Sequence, residues 1–414
     1  MTLIIAILLL LVVSRIAAEL AERAGQPGMI GEIAAGLVLG PSLLNLVRPS
    51  PELTAIADIG LLLLMLLAGM EIGIAQLVEA FKGRNAWISV TGFLLPLLLG
   101  IGAGALLGLD GNRTVFLGLC IAITALPVSI RILMDLGRLQ SGVGQHIIGA
   151  AIANDVLALL VLGVIVNANA SDAAWRDVAA LVGVSILKVL LFMIAVLVVA
   201  RLIHRAADAV PEFHKITDSL VGRLRVKEPL FAVTLLFVVL FAALADALGL
   251  HFIVGAFFGS VLLSRELLGS ENFEQVRKTA SGITMGFLAP LFFATIGLEF
   301  DAFSLTGVWL PVVVLTVAFA GKILAGRLGG WLAGMSPAES WALGIGLNGR
   351  GIMELVVAKI GLSSGFIGTQ IFTVLVLMGV TTTIITPVLL KRAFQAVDRE
   401  RPPLRFHREH QHMK

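Results

Sequence analysis

Charged side chains are scarce in this sequence of 414 residues. Only 14% of the residues are Asp, Glu, Lys or Arg, and 58% are hydrophobic. A soluble domain keeps about 25% of its residues charged, because its surface must be wetted by water. Most of this chain therefore cannot form a surface that faces water, and its composition favours lipid as the solvent.

Cysteine is almost as scarce, since the sequence holds one, Cys120, in an apolar stretch. An internal disulfide framework is therefore excluded. The formal net charge of +3 does not suggest a nucleic-acid partner. No Ser, Cys or His triad is formed, and the glycines of Gly344–Gly351 lie in an apolar run with no strand before them. We predict that the protein is not an enzyme and holds no cofactor.

Long apolar runs fill most of the sequence. A helix needs about 20 apolar residues to cross the hydrocarbon core, and a barrel would show short alternating strands instead. We predict an all-α membrane protein with about 13 transmembrane helices. The predicted spans are 2–21, 29–47, 53–74, 86–108, 113–136, 143–167, 178–203, 229–249, 251–267, 280–299, 306–333, 338–360 and 367–391.

Polar segments divide the chain further. The transmembrane domain is predicted to cover residues 1–391, followed by a basic cytoplasmic tail at 392–414. The longest polar insert, 204–228, is predicted to hold an interfacial helix near Pro211–Leu224.

Basic residues alternate between the two sides of the predicted membrane domain. Loops with Lys82, Arg138 and Arg205 are rich in Lys and Arg, whereas the opposite loops hold few, among them Arg48 and Arg113. The positive-inside rule then places the C-terminus in the cytoplasm. With an odd number of spans, the N-terminus faces outward. We expect a multi-pass protein of a bacterial inner (plasma) membrane.

Two of the predicted spans carry helix-interrupting sequences at their centres. One is Thr124–Ser129 in the fifth span, and the other is Gly346–Gly351 in the twelfth. The breaks are seven spans apart, and this odd offset reverses the topology, as in an inverted repeat with two broken crossing helices. Freed carbonyls and half-helix ends at such breaks can hold a cation. A kink that only improves packing is the alternative for either break.

Asp155 lies at the centre of the sixth span. A charged residue at membrane depth is costly and usually functional. Its carboxylate can bind a cation or a proton in turn, and Asn154, Thr124 and Ser129 supply further oxygens. The alternative is that Asp155 is a structural hydrogen-bonding residue.

A second buried charge, Lys322, lies at the centre of the eleventh span. It can pair with Asp155, snorkel towards the membrane surface, or act as a second proton carrier.

Further polar residues are expected to support the broken helix and the core. Asn348, Arg350 and Glu354 lie within the twelfth span, whereas Glu71 and Glu32 lie nearer the ends of theirs.

At these residues the sequence resembles the monovalent cation:proton antiporter-2 family, which holds bacterial sodium/proton and Kef-type potassium/proton exchangers. The similar segments run along nearly the whole chain, and their order and spacing are more specific than any one of them. They are IGEIAAGLVLGPS (Ile30–Ser42), LLAGMEIG (Leu66–Gly73), TALPVSIRILMDLG (Thr124–Gly137), AIANDVLALLVL (Ala151–Leu162), LHFIVGAFFGSVLLSRE (Leu250–Glu266), PLFFATIGLEFD (Pro290–Asp301) and GLNGRGIMELVVAKIG (Gly346–Gly361).

The resemblance implies a thirteen-span inverted-repeat fold, a homodimer, and an elevator-like movement of a core domain against a dimerisation domain. It further implies that Asp155 is the ion-binding aspartate, with Lys322 and Thr124 matching the lysine and the crossing-helix threonine of the family. Electrogenic sodium/proton members carry two consecutive aspartates, and this chain has Asn154 in the first place. We therefore predict electroneutral exchange of Na+ or K+ for H+.

The resemblance also bears on regulation. Kef-type members usually append a nucleotide-binding domain, whereas this chain ends about 23 residues after its last predicted span. Such regulation is then absent or comes from a separate cytoplasmic subunit.

Two other functions stay open at this point. A sodium-coupled organic-anion symporter on a related fold would have a larger polar cavity and no central lysine. A channel or sensor derived from a transporter would keep the scaffold and lose the coupling.

Overall fold

The computed structural model describes residues 2–72, 74–169, 191–202 and 228–400, with a few further positions between 183 and 205. Within these residues all regular secondary structure is helical, which confirms the all-α prediction. The helices are α1 (Leu3–Arg23), α2 (Gly28–Leu39), α3 (Pro51–Glu71), α4 (Ile74–Ala80), α5 (Gly83–Leu106), α6 (Gly111–Ala122), α7 (Leu126–Asp135), α8 (Gly142–Asn169), α9 (Leu191–Leu202), α10 (Pro229–Ala247), α11 (Phe252–Val261), α12 (Arg265–Leu268), α13 (Ser270–Ile283), α14 (Ala289–Glu299), α15 (Trp309–Leu332), α16 (Pro337–Gly346), α17 (Ile352–Ser363) and α18 (Thr369–Glu400).

Nine helical segments of the described chain are long and apolar enough to cross a membrane, and α2, α9 and α11 are shorter apolar helices. The count of thirteen spans stays a prediction. The last helix, α18, continues to Glu400, beyond the predicted end of the last span at 391. The predicted interfacial helix at 211–224 and the tail residues 401–414 lie outside the described residues.

The helices pack mainly within two groups. The first bundle consists of α1, α2, α3, α10, α11, α13 and α14, and the second bundle consists of α5–α8 and α15–α18. Contacts between the bundles are few by comparison, and they include α8 against α11 and α14 against α18.

Glycines bring neighbouring helices of one bundle into backbone contact. A Cβ added to Gly100 of α5 would lie 2.6 Å from Cα of Gly118 in α6, and one added to Gly326 of α15 would lie 2.2 Å from Cα of Gly344 in α16. Small residues allow such close approach in lipid, where packing rather than hydrophobicity holds helices together. The contacts therefore hold each helix pair as one body.

A matched pair of substitutions in α5 tests this packing. Gly100→Ala is expected to destabilise the protein by about 1–3 kcal/mol, because the methyl group overlaps the backbone of α6. Gly102→Ala, two residues along the same helix, meets nothing within 4 Å and should be neutral or stabilising by up to about 1 kcal/mol. Thermal unfolding in detergent measures the stability of both variants. Equal unfolding midpoints would show that the close contact between α5 and α6 does not contribute to stability.

Two ion pairs of the described residues cross between the bundles. Lys359 of α17 pairs with Glu299 of α14, and both side chains are largely buried. Arg131 of α7 pairs with Glu22 of α1 at 3.5 Å, and both are exposed. The two pairs lie towards opposite ends of α2, which begins beside Glu22 and ends beside Leu298. Each end of the boundary between the bundles therefore carries one ion pair.

Candidate functional site

The first broken helix is interrupted over Ile123–Ala125. The helix α6 ends at Ala122, α7 begins at Leu126, and the backbone between them is extended. This break is shorter than the predicted Thr124–Ser129, because Pro127 falls in the first turn of α7. Proline is tolerated there, since its missing N–H has no partner in a first turn in any case.

The second broken helix crosses the first. Between the end of α16 at Gly346 and the start of α17 at Ile352, the chain touches the first break through two hydrogen bonds. The Ala125 N–H donates to the Gly349 carbonyl at 2.8 Å, and the Thr124 hydroxyl donates to the Leu347 carbonyl at 2.9 Å. The prediction of two broken crossing helices is confirmed.

Lys322 is completely buried at this crossing. Its ammonium group donates to the Thr124 hydroxyl at 2.7 Å, to the Gly92 carbonyl at 3.0 Å and to the Ala122 carbonyl. Among the described residues, no carboxylate lies within 4.0 Å of it. In this conformation Lys322 therefore neither pairs with Asp155 nor snorkels.

Asn154 lies beside the ammonium group. With its amide oxygen turned inward, that oxygen lies 3.3 Å from Nζ of Lys322 and 3.1 Å from the Thr124 hydroxyl oxygen, and its NH2 donates to the Ala150 carbonyl at 3.3 Å. The opposite orientation also bonds to Thr124 but turns the NH2 towards the ammonium group, which repels it. A neutral amide thus occupies the place where a carboxylate would pair with the lysine.

Arg350 caps the C-terminal end of α6. Its guanidinium donates to the carbonyls of Cys120 at 2.9 Å, Ile121 at 2.8 Å and Ile123 at 3.4 Å. The last carbonyls of a helix have no partner within it and carry partial negative charge. Lys322 donates to the Ala122 carbonyl at the same helix end. Two cations, Arg350 and Lys322, therefore bind the carbonyls at the end of α6.

Glu354 lies one turn after Arg350 and is completely buried. It forms an ion pair with Arg350 at 3.7 Å, and neither of its oxygens has a hydrogen-bond donor in the described chain. The Thr383 hydroxyl of α18 donates a further hydrogen bond to the backbone carbonyl of Arg350 at 2.7 Å. The pair is therefore fixed between α6, α17 and α18.

Several buried oxygens on the elements that meet at the crossing have no hydrogen-bond donor among the described residues. They are Oδ1 of Asp155, Oγ of Ser129 and Oδ1 of Asn348. Asp155 is 3% exposed, and the Asn348 amide nitrogen donates to the Gly344 carbonyl at 3.0 Å. Unpaired buried acceptors are costly, and the carboxylate of Asp155 is a hard oxygen ligand of the kind that an alkali cation binds.

Other residues depart from the expected site. Glu71 ends α3 with an exposed side chain, so it is not part of the buried set. The hydroxyl of Thr124 is occupied by Lys322 and Leu347 rather than free for a cation. Glu32 lies near the start of α2, as expected, and its side chain is buried.

The chain is similar to known proteins over nearly its whole length. Residues 6–396 match the family described as "Sodium/hydrogen exchanger, transmembrane". The chain is 28% identical over 396 residues to the "Na(+)/H(+)-K(+) antiporter GerN" of Bacillus cereus, covering 95% of this chain and 96% of that protein. It is 33% identical over 417 residues to "Cation/H(+) antiporter 20" of Arabidopsis thaliana, covering 93% of this chain and 47% of that protein, so it spans about half of this relative.

A solved structure shares the fold. The sodium proton antiporter MjNhaP1 from Methanocaldococcus jannaschii superimposes with a TM-score of 0.71 at 18% identity, over 96% of this chain and 98% of that one.

Proposed function

The chain belongs to the transmembrane sodium/hydrogen exchanger family, and we propose that it exchanges Na+ or K+ for H+ across the membrane through Asp155. The observation that carries this proposal is the position of Asp155. Its carboxylate is buried beside two crossing broken helices, and one of its oxygens has no donor in the described chain. A charge at such depth is costly unless it is compensated.

A single carboxylate is sufficient for exchange. A proton and a monovalent cation both neutralise it, and they compete because each needs the same oxygens. The loaded site is neutral with either ion, whereas the empty, charged site is costly to move through a dry interface. Movement is therefore coupled to occupancy.

Charge balance follows from the neighbours of this carboxylate. Lys322 is held by a hydroxyl and two carbonyls, and its side-chain neighbour Asn154 is neutral. In the part of the chain that the structure describes, no carboxylate lies within 4.0 Å of the lysine to gain or lose a proton as the cation binds. We propose that only Asp155 changes its occupant, which gives one cation for one proton and no net charge.

The two bundles supply the moving parts of this proposal. The second bundle carries Asp155, Lys322 and both broken helices, and its contacts with the first bundle are few. We propose that the second bundle moves against the first and exposes Asp155 to each side in turn. A sodium-coupled organic-anion symporter would have no central lysine, so the buried Lys322 argues against that alternative. The homodimer and a separate regulatory subunit stay predictions.

Electroneutrality has a direct test in proteoliposomes. On addition of Na+, Li+, K+ or Rb+ to liposomes loaded with acid, recovery of a quenched pH dye is expected for at least one cation. Because no net charge moves, its rate should be unchanged by a potassium/valinomycin clamp. An exchange current that reverses with membrane potential under matched ion gradients would contradict one-for-one exchange.

A further inference from the structure

A cavity of about 460 Å³ opens at the boundary between the two bundles. The first bundle contributes residues of α1, α2 and α14, and the second bundle contributes Pro127, Val128 and Arg131 of α7 and Ile352 of α17. Pro127, Val128 and Ile352 lie within three residues of the two breaks. The cavity therefore extends from the end of α1 to the crossing of the broken helices.

Glu32 lines this cavity. It lies one helical turn after Met29, whose methyl group would be 3.2 Å from a Cβ on Gly351 in the second break. Residues three apart share one face of a helix. The carboxylate of Glu32 is therefore on the face of α2 that contacts the crossing.

The side chain of Glu32 is buried without a partner. The residue is 7% exposed, and among the described residues nothing donates a hydrogen bond to it or pairs with it within 4.0 Å. Two nearby arginines are engaged elsewhere. Arg15 donates to the carbonyls of Met285 and Gly286, and Arg131 pairs with Glu22.

The charges that face Glu32 are those of Arg15 and Glu22. Among the other carboxylates of the cavity, Glu19 pairs with Arg23 and Glu22 pairs with Arg131, so in the described chain Glu32 is the lining carboxylate left without an ion pair. A buried carboxylate without a partner is costly, and a cation that reaches it removes that cost.

We propose that Glu32 is a second binding site for the transported monovalent cation, at which the ion is held before it moves on to Asp155. This inference rests on the proposed function of Asp155 for its place in a pathway, but binding at Glu32 can be tested without transport. The cation exchanges part of its water shell for one carboxylate here and the rest at the crossing.

Carbodiimide labelling in the Asp155→Asn variant tests the site directly. A hydrophobic carbodiimide adds across a protonated carboxyl group, whose proton moves to the carbodiimide nitrogen, and the adduct rearranges to a stable N-acylurea. With the central carboxylate removed, labelling of Glu32 measured by peptide mass spectrometry is expected to fall as NaCl or KCl replaces choline chloride. Equal labelling in all three salts would overturn the proposal, whether or not the wild type transports.

Transport kinetics give an independent readout. Glu32→Gln is expected to raise the apparent KM for the cation about tenfold, because binding at this site is weakened by about one order of magnitude. The maximal rate should stay close to that of the wild type, since a saturating cation concentration compensates for weaker binding. Glu32→Asp should restore part of it. The control is Glu19→Gln, an exposed carboxylate on the same cavity that pairs with Arg23. An equal rise in KM for the Glu19 variant would show a general charge effect and overturn the assignment to Glu32.

Discussion

Asp155→Asn is expected to abolish cation-dependent proton movement in proteoliposomes. Asparagine has nearly the shape of aspartate, but it neither takes up a proton nor neutralises a cation. Removing one charge of a buried pair costs about 2–5 kcal/mol, or roughly 30-fold to several thousand-fold in affinity. The same variant should lose the part of the cation-dependent stabilisation in thermal unfolding that comes from Asp155 and keep the part that comes from Glu32, because binding to the folded state stabilises it by mass action.

The matched control is Asp246→Asn in α10, whose side chain is exposed. It makes the same chemical change outside the crossing and should leave exchange unaltered. A wild-type rate of proton movement in the Asp155 variant would show that another group carries the ion.

Arg350→Met is expected to have the largest effect on stability. It leaves three carbonyls at the end of α6 and the buried Glu354 without their cation. Removing one partner of a buried ion pair costs about 3–5 kcal/mol. This is a large part of the free energy of unfolding of a typical protein, which is about 5–15 kcal/mol. We expect little monodisperse protein on gel filtration.

Two further variants separate charge from packing. Arg350→Met combined with Glu354→Met should recover part of the lost stability, because no unpaired charge stays buried. Arg350→Lys should be intermediate, since an ammonium group keeps the charge but lacks the planar fork that reaches three carbonyls. A wild-type unfolding midpoint for Arg350→Met alone would contradict the capping role.

The broken helices were predictable from local sequence. Pro127 and the glycines of Gly346–Gly351 interrupt apolar runs, and the distance between the two breaks indicates the inverted repeat. The bounds of the first break were less predictable, because the same proline that interrupts a helix also begins one. Asp155 stands out for the same local reason, as an acid at the centre of a span.

Partners across the bundle were not predictable. Lys322 and Arg350 bind backbone carbonyls of α6, some 200 residues earlier in the chain, and a carbonyl has no signature in a sequence. Glu32 is visible in the sequence as an acid near the end of its span, but its burial depends on how α2 packs against α14. Nor did any signal foretell the π-helical turn at Thr284–Leu288, whose carbonyls accept from Arg15.

The two ion pairs at the ends of the boundary between the bundles bear on the kinetics of the proposed movement. The exposed pair of Arg131 and Glu22 is already hydrated, so it parts at little cost. Lys359 and Glu299 are largely dry, and two charges cannot separate in a dry place without a penalty of several kcal/mol each. The two bundles can therefore separate at the Lys359–Glu299 end only as water enters there. Once water has reached both groups, their hydration recovers most of the interaction energy lost when the ion pair separates. The pair would therefore slow the passage between the two conformations while doing little to decide which of them is more populated.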